Sequence, residues 1–157
     1  MALQVGDKIP NFTAKDSNGN DFESDSIIGK NAVVLYFYPK DNTPGCTTQA
    51  CSFRDQYEVF KDLGAEVIGV SSDSVASHIK LIHKYNLPFV LLSDSDKKIR
   101  SLFGVKTNLF GLLPGRVTYV IDQNGIIQFI FDGMKASNHI PKAIEMITKF
   151  VKSTNLL

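Results

Sequence analysis

Apolar residues occur along the chain in short runs that predict β-strands separated by helices. The run at residues 32–38 is apolar at both odd and even positions, which is typical of a central strand covered on both faces. Polar, turn-rich residues before it predict short edge strands or a hairpin around Phe12 and Phe22. Four further strands are predicted at 65–71, 88–92, 116–121 and 126–131, and the turn signal at 122–125 joins the last two in a second hairpin.

The segments between these strands show helical spacing. In residues 43–64, Thr43 suits a helix N-cap, Pro44 suits the first helical position and Gly64 suits the C-terminal stop. Further helices are predicted at 74–85, 94–103 and 140–151. This order predicts a single α/β domain over residues 1–157, in which a central mixed β-sheet is flanked by helices on both faces.

Composition and charge narrow the class of protein. Lys and Arg number 17 against 16 Asp and Glu, which gives a formal net charge of +1 and argues against nucleic-acid binding. No apolar run reaches the roughly 18 residues needed to cross a bilayer. The N-terminal residues lack the features of a signal peptide and of an Arg-rich transit sequence. We therefore expect a cytoplasmic protein that binds neither nucleic acid nor membrane, although the sequence leaves a processed plastid form open.

The two cysteines, Cys46 and Cys51, both lie near the start of the predicted helix at 43–64. Two cysteines are too few for a disulfide scaffold, and their closeness beside a Pro-Gly step favours thiol chemistry. At about 100° per residue, Cys46 shares one helical face with Ala50, Phe53, Tyr57 and Phe60. Cys51 lies about 140° away, on the face of Asp55, Glu58 and Asp62. The spacing therefore predicts a buried thiol and a second thiol on the polar face.

The start of this helix gives the two thiols different chemistry. Free backbone N–H groups and the helix dipole favour a thiolate at Cys46, which we expect to be the nucleophile. Residues i and i+5 of an intact helix have Cα atoms about 8.6 Å apart, whereas a disulfide rarely tolerates more than about 7 Å. A bond between Cys46 and Cys51 therefore requires the first turns of the helix to unwind.

A buried thiolate also needs a cation, and the chain has three arginines: Arg54, Arg100 and Arg116. Arg116 opens a predicted strand, so its guanidinium can reach a site at the end of the sheet. We expect Arg54 to pair with acidic neighbours in its own helix and Arg100 to be a solvated helix residue. Position alone therefore favours Arg116.

At this point the residues resemble a known family. The segment Pro39-Lys-Asp-Asn-Thr43-Pro-Gly-Cys46 matches the P-x-x-x-T-x-x-C signature of peroxiredoxins, and residues 116–118 resemble their distal arginine strand. Residues 46–55, 109–116 and 137–139 resemble the Q type, also called bacterioferritin comigratory proteins. Gln49 stands where the wider superfamily often has Glu, but the Q type commonly has Gln. The similarity covers nearly the whole chain.

The resemblance implies a thioredoxin-like fold and reduction of hydrogen peroxide or alkyl hydroperoxides. By motif position, Cys46 would be the peroxidatic cysteine and Cys51 the resolving cysteine of an intramolecular disulfide. Thr43 and Arg116 would complete the peroxide site, and Pro39 would shield it. The resemblance further implies thioredoxin or a similar dithiol as reductant, a monomer, and no metal or organic cofactor.

The same chemistry agrees with the residue types. Cleavage of an O–O bond needs a thiolate, donors for the departing oxygen and exclusion of water; the expected donors are Arg116 and the N–H groups of Gly45 and Cys46. The sulfenic acid would then condense with Cys51, and an external dithiol would reset the enzyme. Two alternatives stay open: a thioredoxin-like disulfide reductase, although C-x-x-C is missing, and a redox-sensing or chaperone-like binding protein without turnover.

Overall fold

The computed structural model of the chain describes residues 2–105, 107–108, 113–133 and 139–155. The strands are β1 (Thr13–Asp16), β2 (Asp21–Glu23), β3 (Ala32–Phe37), β4 (Ala65–Ser71), β5 (Val90–Ser93), β6 (Thr107–Asn108), β7 (Leu113–Pro114), β8 (Val117–Ile121) and β9 (Ile127–Asp132). The helices are α1 (Pro44–Asp55), α2 (Tyr57–Asp62), α3 (Val75–Tyr85), α4 (Lys98–Phe103) and α5 (His139–Asn155).

Seven of the strands form one mixed sheet in the order β2-β1-β5-β4-β3-β8-β9. Strand β3 pairs in parallel with β4, and β4 pairs in parallel with β5, whereas β1, β2, β8 and β9 join their neighbours antiparallel. Both predicted hairpins, β1–β2 and β8–β9, are present. Strands β6 and β7 form a separate pair that the sequence did not predict. The prediction of a mixed central sheet is confirmed.

The two faces of the sheet carry separate hydrophobic cores. Alternate residues of β3 point to opposite faces, with Val33, Leu35 and Phe37 in one core and Val34 and Tyr36 in the other. The first core is covered by α4 and by apolar residues near the N-terminus, including Phe12 and Phe22. The second is covered by residues of α1, α2, α3 and α5: Ala50, Phe53, Phe60, Leu81, Ala143 and Ile147. The prediction of helices on both faces is therefore confirmed.

The helix predicted over residues 43–64 is in fact two helices. Gln56, with φ −101° and ψ 6°, separates α1 from α2. Gln is a good helix former, so the local sequence does not signal this break. The predicted stop is present, because Gly64 adopts a φ of +77° just after α2.

The region around α4 also differs from its prediction. The helix begins at Lys98 rather than at Asp94, because the Asp94 carboxylate accepts hydrogen bonds from the N–H groups of Ile99 (2.8 Å) and Arg100 (2.9 Å). The expectation that Arg100 is solvated is wrong, since the residue is only 3% exposed. Arg100 is buried because it belongs to α4, which packs against the sheet. Burial lowers the pKa of Arg100, and the charge of Asp94 opposes that shift.

Candidate active site

Cys46 lies in the first turn of α1, directly after the loop that follows β3. Thr43 occupies the N-cap position with an extended backbone, and Pro44 is the first helical residue. The N–H of Thr47 donates to the carbonyl of Thr43 at 2.9 Å, which is the first backbone bond of the helix. The N–H groups of Gly45 and Cys46 precede that bond and therefore have no acceptor within α1. They are available to bind a negatively charged atom.

The two thiols differ in burial as the helical spacing predicts. Cys46 is 3% exposed and packs in the second core with the buried residues Ala50, Phe53 and Phe60. Cys51 is half-buried. Both thiols are free, and both lie on the intact helix α1.

Arg116 brings a cation to the buried thiol. Its Nη2 lies 3.2 Å from Cys46 Sγ, and the residue is 3% exposed. The sheet accounts for this approach, because β8 pairs with β3 so that Val117 lies opposite Phe37. Arg116 therefore enters at the end of the sheet from which α1 departs. A Cβ atom at Gly45 would lie 3.1 Å from Arg116 Nη2, so the backbone here also runs close to the guanidinium.

Gln49 also contacts the guanidinium, although the sequence analysis did not assign its amide to the site. The residue is fully buried, and its Oε1 accepts a hydrogen bond from Arg116 Nη1. Gln49 Nε2 has no hydrogen-bond partner among the residues that the structure describes. The signal was available: Gln49 follows Cys46 by three positions, which places the two on neighbouring parts of one helical face.

Thr43 occupies the N-cap position, but its side chain does not cap the helix as the sequence predicted. Its hydroxyl donates to the carbonyl of Lys40 at 2.9 Å and makes no capping bond to the described N–H groups of α1. The helix end is thus left free for a ligand, and the lone pairs of the hydroxyl can accept a hydrogen bond. Pro39, in the same loop, is half-buried.

Of the other arginines, Arg54 pairs as expected. Its Nε lies 3.0 Å from Asp55 Oδ1, and its Nη1 donates to the carbonyl of Tyr85 at 2.8 Å. Of the segments that carry the family resemblance, residues 109–112, 137 and 138 lie outside the described residues.

Asp41, in the loop before α1, is buried in a hydrogen-bond network that the sequence did not predict. Its carboxylate accepts from the hydroxyl of Tyr38 at 2.6 Å, from Ser77 Oγ at 2.7 Å and from His78 Nδ1 at 2.8 Å. Burial raises the pKa of Asp41, but the bonds from His78, Tyr38 and Ser77 outweigh it, so the pKa lies below its ordinary value. Asp41 is therefore ionised at neutral pH.

A second buried histidine lies behind Arg116. His139 Nδ1 is 2.6 Å from Thr118 Oγ1, and its Nε2 is 2.6 Å from the carbonyl of Gly133. The N–H of Gly133 in turn donates to the carbonyl of Arg116 at 3.1 Å. Burial lowers the pKa of His139, and the charge of Arg116 lowers it further. The neutral ring therefore donates to Gly133 and accepts from Thr118.

Comparison with known proteins assigns the family. Residues 5–130 match the AhpC/TSA family. The chain is 51% identical to the chloroplastic peroxiredoxin Q of Triticum aestivum over 146 residues, which is 92% of this chain and 67% of the wheat protein.

Two solved structures confirm the thioredoxin-like fold. Peroxidoxin BcpB from Mycobacterium tuberculosis superposes with a TM-score of 0.87 at 31% identity, over 94% of this chain and 97% of that one. The bacterioferritin comigratory protein of Xanthomonas campestris, solved in work on its alkyl peroxide reduction activity, gives a TM-score of 0.82 at 30% identity, over 89% and 92% of the two chains.

The same comparisons correct the expected location. The wheat relative is named as a chloroplast protein, as are those from rice, Sedum lineare and Arabidopsis thaliana, so the cytoplasmic prediction is wrong. The prediction rested on the composition of the N-terminal residues, which was too weak a basis for assigning a compartment. Separately, none of the helices in the described residues is both long and apolar enough to span a bilayer.

The match to residues 5–130, the 51% identity to a peroxiredoxin Q and the agreement of the folds lead to one conclusion. The chain belongs to the AhpC/TSA family and, within it, to the peroxiredoxin Q group of thiol peroxidases.

Proposed function

We propose that Cys46 is the peroxidatic cysteine and that it reduces hydrogen peroxide and organic hydroperoxides as a thiolate. The observation that carries this proposal is the 3.2 Å contact between Arg116 Nη2 and Cys46 Sγ at the N-terminus of α1. The guanidinium and the free N–H groups of Gly45 and Cys46 favour a negative charge at this point. The burial of Cys46 excludes bulk water from the reaction.

The first step is an in-line displacement on the peroxide. The sulfur attacks one oxygen, the S–O bond forms as the O–O bond breaks, and the departing oxygen takes a proton to leave as water or an alcohol. Arg116 and the N–H of Gly45 stabilise the charge that spreads over both oxygens. The Thr43 hydroxyl, which donates to Lys40, accepts the hydrogen bond of the peroxide O–H and orients it. We assign Pro39 the role of shielding the site.

Cys51 resolves the product. The sulfenic acid on Cys46 condenses with the Cys51 thiol, a disulfide forms and water leaves. Because both residues lie on the intact helix α1, the first turns must unwind before the sulfurs meet. Thioredoxin or a similar dithiol then reduces the disulfide by thiol–disulfide exchange. The cycle needs neither a metal nor an organic cofactor.

The remaining assignments follow from this cycle and from the relatives. An internal resolving cysteine removes the need for a second subunit, so we assign the protein as a monomer. The chloroplastic relatives support a plastid location. Sedimentation of reduced and oxidised protein tests the first assignment, and cell fractionation tests the second.

Peroxide consumption in the presence of thioredoxin and its reductase tests the proposed function. We expect C46S to lose activity, and C51S to complete one fast oxidation and then stall. Mass spectrometry after one equivalent of peroxide should show the loss of two hydrogens and a bridge from Cys46 to Cys51. Full activity in C46S overturns the proposal. Insulin reduction without peroxidase activity would support a disulfide reductase instead, and stoichiometric oxidation without turnover would support a redox sensor.

A further inference from the structure

We propose that His78 is a positioning residue of the peroxide site, which acts through Asp41 on the loop before Cys46. This inference rests on the proposed role of Cys46. It concerns a histidine on α3, an element that contributes none of the side chains assigned above to the reaction.

The ring of His78 is held between two hydrogen-bond acceptors. The ring is fully buried, with Nδ1 2.8 Å from Asp41 Oδ2 and Nε2 3.0 Å from the carbonyl of Leu92. A carboxylate and a carbonyl are both acceptors, so each ring nitrogen must carry a hydrogen to satisfy them. His78 and Asp41 are therefore a buried ion pair, with side-chain exposures of 0% and 2%.

Asp41 is held by further hydrogen bonds to its side chain and to its backbone. Beside the pair with His78, its other carboxylate oxygen accepts from the hydroxyl of Tyr38 at 2.6 Å. Its backbone N–H donates to Asp73 Oδ2 at 2.8 Å, and Ser71 Oγ donates to that same oxygen at 2.7 Å. Side chain and backbone are thus both fixed, the former to α3 and the latter to the end of β4.

The peptide unit between Lys40 and Asp41 connects Asp41 to the peroxide site. The carbonyl of Lys40 belongs to the same peptide unit as the N–H of Asp41, and it accepts the hydrogen bond from the Thr43 hydroxyl at 2.9 Å. The Asp41–His78 pair, which we call the anchor, therefore fixes the Lys40 carbonyl, and that carbonyl orients the Thr43 hydroxyl. Three residues beyond Thr43 lies Cys46, so the same anchor sets where α1 begins.

Stability alone does not account for this pair. A buried ion pair is often no more stabilising than apolar residues of the same volume, because both charges lose their hydration. What the pair supplies is a fixed position for the loop between β3 and α1. The anchor also lies outside α1, so it can hold the loop while the turns that carry Cys46 and Cys51 unwind.

The test is rapid-mixing kinetics of single-turnover oxidation by hydrogen peroxide. We expect H78Q to lower the second-order rate constant for oxidation of Cys46 by about 10- to 100-fold, as a small misplacement of a reacting group does. H83Q, which changes an exposed histidine of the same helix, should stay within about twofold of the unmodified protein. D41N should match H78Q, and the double variant D41N/H78Q should lose no more than the larger single loss.

The second phase of the same kinetic traces, which reports disulfide formation, distinguishes a positioning role of His78 from a general loss of structure in the variant. Disulfide formation with Cys51 should change less than about threefold in H78Q, whereas a general loosening of the fold would slow or speed both phases and add in the double variant. An oxidation rate in folded H78Q equal to that of H83Q overturns the inference. Activity retained in C46S would instead overturn the proposed function on which it rests.

If H78Q does not fold, the variant S77A tests the inference instead. This change removes the 2.7 Å bond from Ser77 Oγ to the Asp41 carboxylate and leaves the ion pair in place. We expect an oxidation rate constant lower by about two- to fivefold, because the bonds from Tyr38 and His78 still hold the carboxylate. An unchanged rate constant in S77A would contradict the role of Asp41 as an anchor.

Discussion

The guanidinium of Arg116 serves two acceptors at once, and its shape makes this possible. Nη2 contacts Cys46 Sγ at 3.2 Å while Nη1 donates to Gln49 Oε1. A planar fork of donors can hold both contacts, whereas a lysine ammonium is a single point charge on a flexible stem. The amide of Gln49 thus holds the guanidinium in the plane that faces the sulfur.

We therefore predict that R116K is impaired although its charge is kept. The second-order rate constant for peroxide should fall about 100-fold, the usual cost of losing one preorganised donor to the transition state. The matched control is R54K, which alters the arginine of α1 that pairs with Asp55 and should stay within about twofold. Stopped-flow oxidation of both variants is the measurement, and equal rate constants would contradict the prediction.

Several of these residues could be chosen from the sequence, and others could not. The Thr-Pro-Gly start of the predicted helix indicated Cys46 as a candidate nucleophile, and the strand position of Arg116 indicated it as a candidate cation. The structure brings the two side chains into contact. Arg100 was misjudged because its burial depends on how α4 packs against the sheet. His78 and Asp41 are 37 residues apart, so no local pattern connects them.

At the scale of elements, the helix α1 determines how the cysteines meet. It is intact from Pro44 to Asp55 with both thiols free. In the proposed cycle, disulfide formation would therefore be preceded by a helix-to-coil step, whose free energy depends on the helix propensity of residues 44–51. Changing that propensity at an exposed position should alter the resolving step alone.

Thr48 offers such a position, because it is exposed on α1 between the two cysteines. Ala and Gly differ in helix propensity by about 1 kcal/mol, so T48A should form the disulfide about fivefold more slowly than T48G. Oxidation of Cys46 should be the same in both. Quenched-flow mass spectrometry follows the two steps separately.

The control for Thr48 is the pair S101A and S101G, at an exposed position of α4 on the opposite face of the sheet. These two variants should form the disulfide between Cys46 and Cys51 at the same rate, although they differ in overall stability. Equal resolving rates in T48A and T48G would show that unwinding of α1 does not limit the step.

The elements themselves were largely predictable, and the exceptions have physical causes. Apolar runs and turn residues predicted both hairpins and the central strand, because each signal is local. The break at Gln56 has no local signal. The late start of α4 arises because the Asp94 carboxylate accepts from the N–H of Ile99, five residues further on, with Lys97 in a left-handed conformation at φ 61° between them.

At the scale of the whole molecule, His139 joins α5 to the sheet behind Arg116. Its neighbours are the hydroxyl of Thr118, the carbonyl of Gly133 and the ring of Phe131. Burial is the largest effect on the pKa of His139 and lowers it, and the charge of Arg116 lowers it further. The hydrogen bond to Gly133 and the charge of Asp132 raise the pKa, but the net shift is downward. The fold therefore favours the neutral ring.

This shift predicts a loss of stability in acid. As pH falls below the unfolded pKa of about 6.5, the unfolded chain takes up a proton that the folded chain does not, so the free energy of unfolding decreases. The decrease is at most about 1.4 kcal/mol per pH unit for one group, and it ends below the folded pKa. In urea unfolding between pH 7 and pH 5, the free energy of unfolding should therefore fall more steeply with acidification in the unmodified protein than in H139Q.

The control for His139 is H83Q, whose stability should follow the pH profile of the unmodified protein because His83 is exposed. Parallel profiles for the unmodified protein and H139Q would contradict the assignment. The amide in H139Q can donate to Gly133 and accept from Thr118, so its fold should be kept at neutral pH.

The separation of Cys46 and Arg116 by 70 residues has a consequence for biosynthesis. A ribosome-bound chain that ends before β8 carries the cysteine but not its guanidinium, because that side chain arrives only when β8 pairs with β3. Under the proposed mechanism, the thiol would therefore gain the cation that favours its reaction with peroxide only after β8 has paired with β3.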